Sequence, residues 1–225
     1  HRNPRRIAVI GGGPAGLAAA EVIAAAGPAV TAYERMPTIG RKFLLAGRGG
    51  LNLTHSEDLA RFLPRYGTAA AALTDAIERF PSSALRAWCE GLGEDTFVGS
   101  SGRVFPRSMK ASPLLRAWAR RLADLGVVVL RRHHWQGWDA ERRLLFQTPE
   151  GPKTVSADAV VLALGGASWP NLGSDGTWSE TLASEGIAVT PLAPANSGVR
   201  VPWSEMFRIR HAGTPLKRIG LASGD

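Results

Sequence analysis

Residues 7–34 read IAVIGGGPAGLAAAEVIAAAGPAVTAYE. Ile7 to Ile10 is a short β-branched run, an alanine-rich helical stretch follows Gly11-Gly12-Gly13-Pro14-Ala15-Gly16 as far as Ala26, and Ala29 to Glu34 reads as a second strand. A βαβ unit of about 30 residues is the size of a mononucleotide-binding half. Gly11, Gly13 and Gly16 form G-x-G-x-x-G between strand and helix. Gly11 makes the tight turn, Gly13 lets a pyrophosphate approach the backbone with no Cβ in the way, and Gly16 allows close packing of helix on sheet. The free amides around Ala15 and Gly16 then point at the phosphates with the positive end of the helix dipole. Glu34 closes the second strand, where a carboxylate accepts hydrogen bonds from a ribose diol. Strand, helix and terminal Glu in register predict dinucleotide binding.

Working outward, the next stretch separates FAD from NAD. A dehydrogenase would continue with another short βα unit, whereas residues 40–54 form a long Gly-rich loop with Arg41 and Lys42 available for phosphate charge. Helical segments are expected near 57–66, 69–79 and 82–91, with short strands flanking Gly99 to Gly102. Ser112 to Gly126 carries helix punctuation: Ser112 as N-cap, Pro113 at the first helical position and Gly126 just past the end. Val127 to Leu130 and Ala159 to Leu164 are continuously apolar and read as buried parallel strands. Between them, alternating stretches near 133–139, 143–148 and 153–157 read as an antiparallel meander. A meander before the last parallel strand favours FAD. A helix is expected around 175–185, and short β-like pieces from Val189 onward.

The predicted fold class is α/β: a Rossmann-like FAD-binding domain over 1–190 with a helical insertion at about 55–125, followed over 191–225 by the start of a second, β-rich substrate domain. The chain opens on His1 and stops at Asp225 straight after an unfinished apolar segment, so it reads as cut from a longer protein. Its 225 residues are 44% hydrophobic, which suits a globular chain and excludes a disordered one. The longest apolar stretch, Ala15 to Gly27, is interrupted by Glu21 and falls short of the roughly 20 residues that span a bilayer. The lone Cys89 excludes an internal disulfide, a CxxC pair and a cysteine-based zinc site, and the expectation is a cytoplasmic protein without metal. The formal charge is +8, but only four of the 27 basic residues are lysines and the arginines form no solid run. This reads as solvated surface rather than a nucleic-acid face.

Longer motifs carry a family resemblance. Besides Gly-Gly-Gly-Pro-Ala-Gly, the stretches RKFLLAGRGGLNLTHSE (41–57), GRVFPRSMKAS (102–112), RHHWQGWD (132–139) and GGASWPNLGSDGTW (165–178) resemble the bacterial, BaiN-like FAD-dependent flavoproteins, and residues 194–217 resemble one branch of that group. The resemblance implies a glutathione-reductase-like FAD domain and an NAD(P)/FAD-dependent oxidoreductase. It implies that Gly11, Gly13, Pro14, Ala15 and Gly16 cradle the pyrophosphate, that Glu34 holds the adenosine ribose, that Arg35 beside it belongs to the cofactor-binding set, and that the backbone of Trp135 meets the adenine edge. The loop from Lys42 to Thr54, with Gly49, Gly50 and Asn52, would pass the flavin ring, and Gly165 would close over the cofactor. Relatives often carry Gly-Arg-Cys-Asn where this chain has Gly49-Gly50-Leu51-Asn52, so no cysteine stands at that place.

Candidate catalytic groups are His55, whose pKa lies in the working range, and Arg103, Arg107 and Lys110, which could orient an anionic substrate. The competing readings are a loop histidine bonded to backbone and solvated loop charge. Trp169 could stack near the flavin or simply pack. No Ser-His-Asp elbow, Walker loop or metal-ligand spacing is present, which leaves hydrolase and kinase readings without support. The expected function is transfer of reducing equivalents from NAD(P)H through FAD to a small organic acceptor. The alternatives are a flavoprotein that binds or acts on RNA and a non-catalytic dinucleotide-binding fragment.

Overall fold

The computed structural model describes residues 5–193 and 201–214. The chain falls into two compact units, 1–192 and 193–225. The first runs β1 (Arg6–Ile10), α1 (Pro14–Ala25), β2 (Ala29–Glu34), α2 (Arg41–Ala46), β3 (Thr54–His55), α3 (Leu59–Phe62), α4 (Ala70–Arg79), α5 (Ser82–Gly91), β4 (Thr96–Val98), β5 (Arg103–Pro106), α6 (Ala111–Asp124), β6 (Val128–Arg131), β7 (His134–Trp138), β8 (Leu144–Thr148), β9 (Gly151–Val155), β10 (Ala159–Leu162) and α7 (Trp178–Ser184). It is a Rossmann-like α/β domain.

Four strands form the main sheet in the order β10-β1-β2-β6, all parallel. From β1 the chain crosses through α1 to β2 on one side, and it returns much later to place β10 on the other. The order therefore reverses at β1, and the crevice beyond its carboxyl end is where open α/β sheets bind ligands. Period-two alternation assigns the two faces of β1. Val9 joins Leu17 and Ala20 of α1 and Leu115, Trp118 and Leu122 of α6 on one face. Ala8 and Ile10 join Tyr33, Trp135, Phe146 and Leu182 on the other. Helices thus cover one side, and the antiparallel sheet β7-β8-β9 with α7 covers the other.

Several boundaries move for physical reasons. The expected loop 40–54 contains α2 and a 3₁₀ turn, Gly47–Gly49. Its last residues form β3, which joins β5 and β4 in a small antiparallel sheet. Ser112 is not the N-cap of α6. Lys110, extended at φ −136°, precedes the helix, and Ala111 packs so tightly on Gly47 that a Cβ there would lie 2.4 Å from the Ala111 Cβ. Packing, not a hydroxyl, sets that start. At the other end Gly126 has φ +77°, its N–H donates to the Ala123 carbonyl, and Val127 N–H donates to that of Leu122, which completes a Schellman cap. β9 begins at Gly151 rather than 153, because Gly151 pairs with Thr148 across the turn. The expected helix 175–185 is confined to Trp178–Ser184.

In the second unit, where β-like pieces were expected, the described residues hold the helix α8 (Glu205–His211), capped by Ser204 Oγ, which accepts from Phe207 N–H at 3.3 Å. Residues 194–200 and 215–225 of that stretch lie outside the described residues. No described helix is long and apolar enough to cross a membrane.

One polar cluster joins the helical layer. The Glu21 carboxylate on α1 accepts from Trp118 Nε1 at 2.6 Å, Trp88 Nε1 at 3.1 Å and Arg121 Nη1 at 3.0 Å, tying α1 to α5 and α6. Removing it leaves two indole donors and a guanidinium without their acceptor. Glu21→Ala should cost about 2–4 kcal/mol in urea unfolding, and Glu21→Gln, which keeps an acceptor, should cost less. A loss below about 0.5 kcal/mol for the alanine variant would mean the cluster does not hold these helices.

Candidate functional site

The turn between β1 and α1 brings three chain segments into backbone contact. Gly11 has φ +118°, its N–H donates to the Tyr33 carbonyl at 2.8 Å, and a Cβ on it would sit 2.2 Å from the Ala163 carbonyl oxygen. A Cβ on Gly16 would lie 1.8 Å from the Gly11 oxygen. Neither position has room for a side chain. Gly13 is the opposite case: a Cβ there meets nothing within 4 Å, so its missing side chain leaves open space. Gly13 is also the N-cap of α1 and offers no side-chain acceptor, and Pro14 follows at the start of the helix. The first-turn amides are therefore left for a ligand.

Glu34 is fixed by both of its oxygens. Oε2 accepts from Gly12 N–H and Oε1 from Met36 N–H, each at 2.7 Å. Each oxygen keeps a lone pair for a further donor. Gly12, which the motif leaves as a free position, is itself constrained, because a Cβ there would come within 2.9 Å of Glu34 and Ile39. The run of three glycines was the signal for it.

Around this turn lies a cavity of about 1370 Å³. It brings together Gly11, Gly13, Pro14, Ala15, Glu34, Arg35, Lys42, Asn52, Trp135 and Gly165 from the predicted set. Gly16 lies beneath the turn and does not line it, and Gly49, Gly50 and Thr54 are also absent from its wall. Thr54 instead pairs with Val104 and shares a hydrogen bond with Ser82 at 2.8 Å. The catalytic candidates are not brought to the cavity either. His55 Nε2 bonds the Ser101 carbonyl at 3.0 Å and its Nδ1 accepts from Glu57 N–H at 3.2 Å, the geometry of a loop histidine held by backbone. Arg103, Arg107 and Lys110 are exposed on or beside the small sheet. Trp169 is about half exposed and bridges to Ser174, outside the wall.

The positive charge at the wall has two forms. Arg35 is committed: its guanidinium meets the Asp175 carboxylate in a fork, at 2.8 and 3.2 Å. That fork, with the N–H and hydroxyl of Thr177, holds the Asp175 carboxyl down at about 2. Arg41 and Lys42 also line the cavity and form no ion pair among the described residues. Arg41 Nη1 donates to Thr38 Oγ1 at 3.3 Å, and Lys42 Nζ donates to Ser168 Oγ at 2.9 Å. His134 is pushed below its ordinary value, first by burial and then by the Arg35 guanidinium. Sequence reasoning points to Arg41 but misses Ser174 and Asp175 as wall residues, since the GSDG stretch is visible only as part of a longer motif.

The HI0933-like protein Rossmann domain family matches residues 5–213, and the chain belongs to that family. It is 30% identical over 194 residues to a 3-dehydro-bile acid Δ4,6-reductase of Clostridium scindens, covering 84% of this chain and 46% of that protein. The chain thus spans about half the length of the curated relative it matches. Among solved structures, the 3-ketosteroid-Δ4-(5α)-dehydrogenase of Rhodococcus jostii RHA1 has the same fold, with a TM-score of 0.55 at 18% identity over 75% of this chain and 47% of that one. THI4 of Thermovibrio ammonificans gives a TM-score of 0.45 at 18% identity, over 72% of this chain and 58% of its own.

FAD is the cofactor of this Rossmann family, and the residues present fit it. The space left by Gly13 and the free amides of α1 suit a pyrophosphate, and Arg41 and Lys42 supply matching charge. Gly13→Val should fill that space and cut FAD affinity at least about tenfold in a titration of apoprotein, with folding retained. Unchanged affinity would put the pyrophosphate elsewhere. The Asp175 carboxyl ordinarily titrates at 3.8 and is depressed in the fold to about 2. Its contribution to stability is therefore complete above about pH 4 and is lost as pH falls through about 2. An Asp175→Asn variant should lack that component, so the stability gap between it and the parent should shrink from pH 5 to pH 2. A constant gap would contradict the assignment.

Proposed function

We propose, from the chain's place in the HI0933-like Rossmann family, that it binds FAD as part of an oxidoreductase that passes reducing equivalents from NAD(P)H through FAD to a small organic acceptor. The carrying observation is the open space at Gly13 facing a cavity with two cations that have no carboxylate partner among the described residues. FAD, when bound, supplies the hydride chemistry that protein side chains lack. The protein's own part is positioning. The amides of Ala15 and Gly16 and the charges of Arg41 and Lys42 bind the pyrophosphate. The Glu34 carboxylate, already oriented by two backbone N–H groups, accepts from the ribose hydroxyls. Trp135 backbone meets the adenine edge, Gly165 closes over the cofactor, and Asn52 marks the flavin end of the wall.

The similarity to a bile-acid reductase supports an organic acceptor and makes steroid-like compounds the first to assay. The buried, unpaired Cys89 supports a reducing, cytoplasmic setting. The absorption spectrum of purified protein, recorded before and after anaerobic addition of NADH or NADPH, tests both halves. The expected result is flavin bands, release of FAD on denaturation, and bleaching by one of the two nucleotides. A colourless protein that fails to take up added FAD would sink the cofactor role. Bound FAD that neither nucleotide bleaches would sink the donor.

A further inference from the structure

Residues 163–177 leave β10 and form one wall of the cavity through Gly165, Leu172, Gly173, Ser174, Asp175 and Thr177. This segment is fastened from two sides. On the β2 side, Arg35 Nη2 and Nη1 donate to Asp175 Oδ2 and Oδ1 at 2.8 and 3.2 Å. On the α2 side, Lys42 Nζ donates to Ser168 Oγ at 2.9 Å and to Ser174 Oγ at 3.4 Å. Ser174 is buried, and its hydroxyl donates to the Gly166 carbonyl at 2.7 Å, which ties the segment to its own base. Gly173 lies on Met36, where a Cβ would come within 2.7 Å of Met36 Cγ. The segment crosses from the end of β10 to the end of β2 as a strap.

The fork uses both oxygens of Asp175, and Oδ1 also accepts from Thr177 N–H at 3.2 Å and Thr177 Oγ1 at 2.9 Å. The Arg35 guanidinium is thereby directed at the strap. It also stands next in sequence to Glu34, the carboxylate assigned to the ribose. Both partners remain about a quarter exposed, so the pair can open without disrupting the core.

We infer that Arg35 and Asp175 are paired positioning residues that latch the 163–177 strap over the adenosine end of the site and set how fast FAD leaves. The inference rests on the FAD reading above. It changes the expectation for Arg35: the arginine holds cofactor through Asp175 and the strap instead of by touching ribose or phosphate. A latch of this kind affects release more than the final fit, because the strap must part for the dinucleotide to pass.

FAD release from the holoprotein, followed by the fluorescence of freed flavin after dilution, tests the latch. Asp175→Asn and Arg35→Gln should each speed release about tenfold, the scale expected for losing one charged fork. The double variant should be no faster than the faster single one, since both break the same contact. Should Asp175→Asn fail to fold, Arg35→Lys, which keeps the charge and loses the fork, should give an intermediate increase; a parent-like rate would contradict the latch. Fast release for Arg35→Gln with a parent rate for Asp175→Asn would overturn the inference and make Arg35 a direct cofactor contact. Parent rates for both would overturn it as well. A parent protein that binds no FAD would instead refute the reading on which the latch rests.

Discussion

The fold depends on a backbone-to-backbone approach at the carboxyl end of β1. Gly11 lies against the Ala163 carbonyl, and Gly16 lies against Gly11, at distances that no Cβ could enter. Three elements that are far apart in sequence, β1, α1 and the chain leaving β10, meet there without side chains between them. Because β10 must return to this spot, the sheet order reverses at β1 and leaves a crevice in front of the turn. Steric exclusion beneath the turn and open space above it at Gly13 are two outcomes of the same choice of residue.

Charge is distributed around that crevice with separate purposes. Glu34 spends one lone pair of each oxygen on backbone N–H groups, which holds the carboxylate still while leaving it able to accept. Arg35 is neutralised by Asp175, whereas Arg41 and Lys42 keep their charge toward the cavity. Elsewhere several arginines are neutralised in the same way. Arg143 pairs with Asp139, Arg142 with Glu185 and Arg121 with Glu21.

Legibility in the sequence followed the range of the interactions. The glycine turn, α1, the apolar parallel strands and the meander are readable because local rules fix them through period, turn chemistry and apolar runs, although β6 and β10, expected to be buried, form the edges of the sheet and leave Val128 and Leu162 exposed. The start of α6 differs from the sequence expectation because packing of Ala111 on Gly47, 64 positions away, outweighs a good N-cap residue at Ser112. The stretch 40–54 read as loop since its glycines suggested close approach, yet Arg41–Ala46 had enough helix formers for a short helix anchored by the turn at Gly40. At the site, Gly11, Gly13 and Glu34 were visible through spacing. His55, Arg103 and Lys110 are suggested by chemistry alone; the β3–β5 pairing, which no local pattern announces, sets His55 opposite Arg103 on the small sheet, and none of the three lines the cavity. The Arg35–Asp175 fork joins residues 140 apart and leaves no periodic trace.

In the proposed function, the glycine turn and Glu34 hold the adenosine diphosphate half of a dinucleotide. Competition binding on the apoprotein tests it directly, with FAD displaced by ADP and by FMN in parallel. The expected result is one FAD per chain, displaced by ADP and resistant to FMN, which lacks the adenosine half. FMN that displaces FAD as readily as ADP does would contradict it.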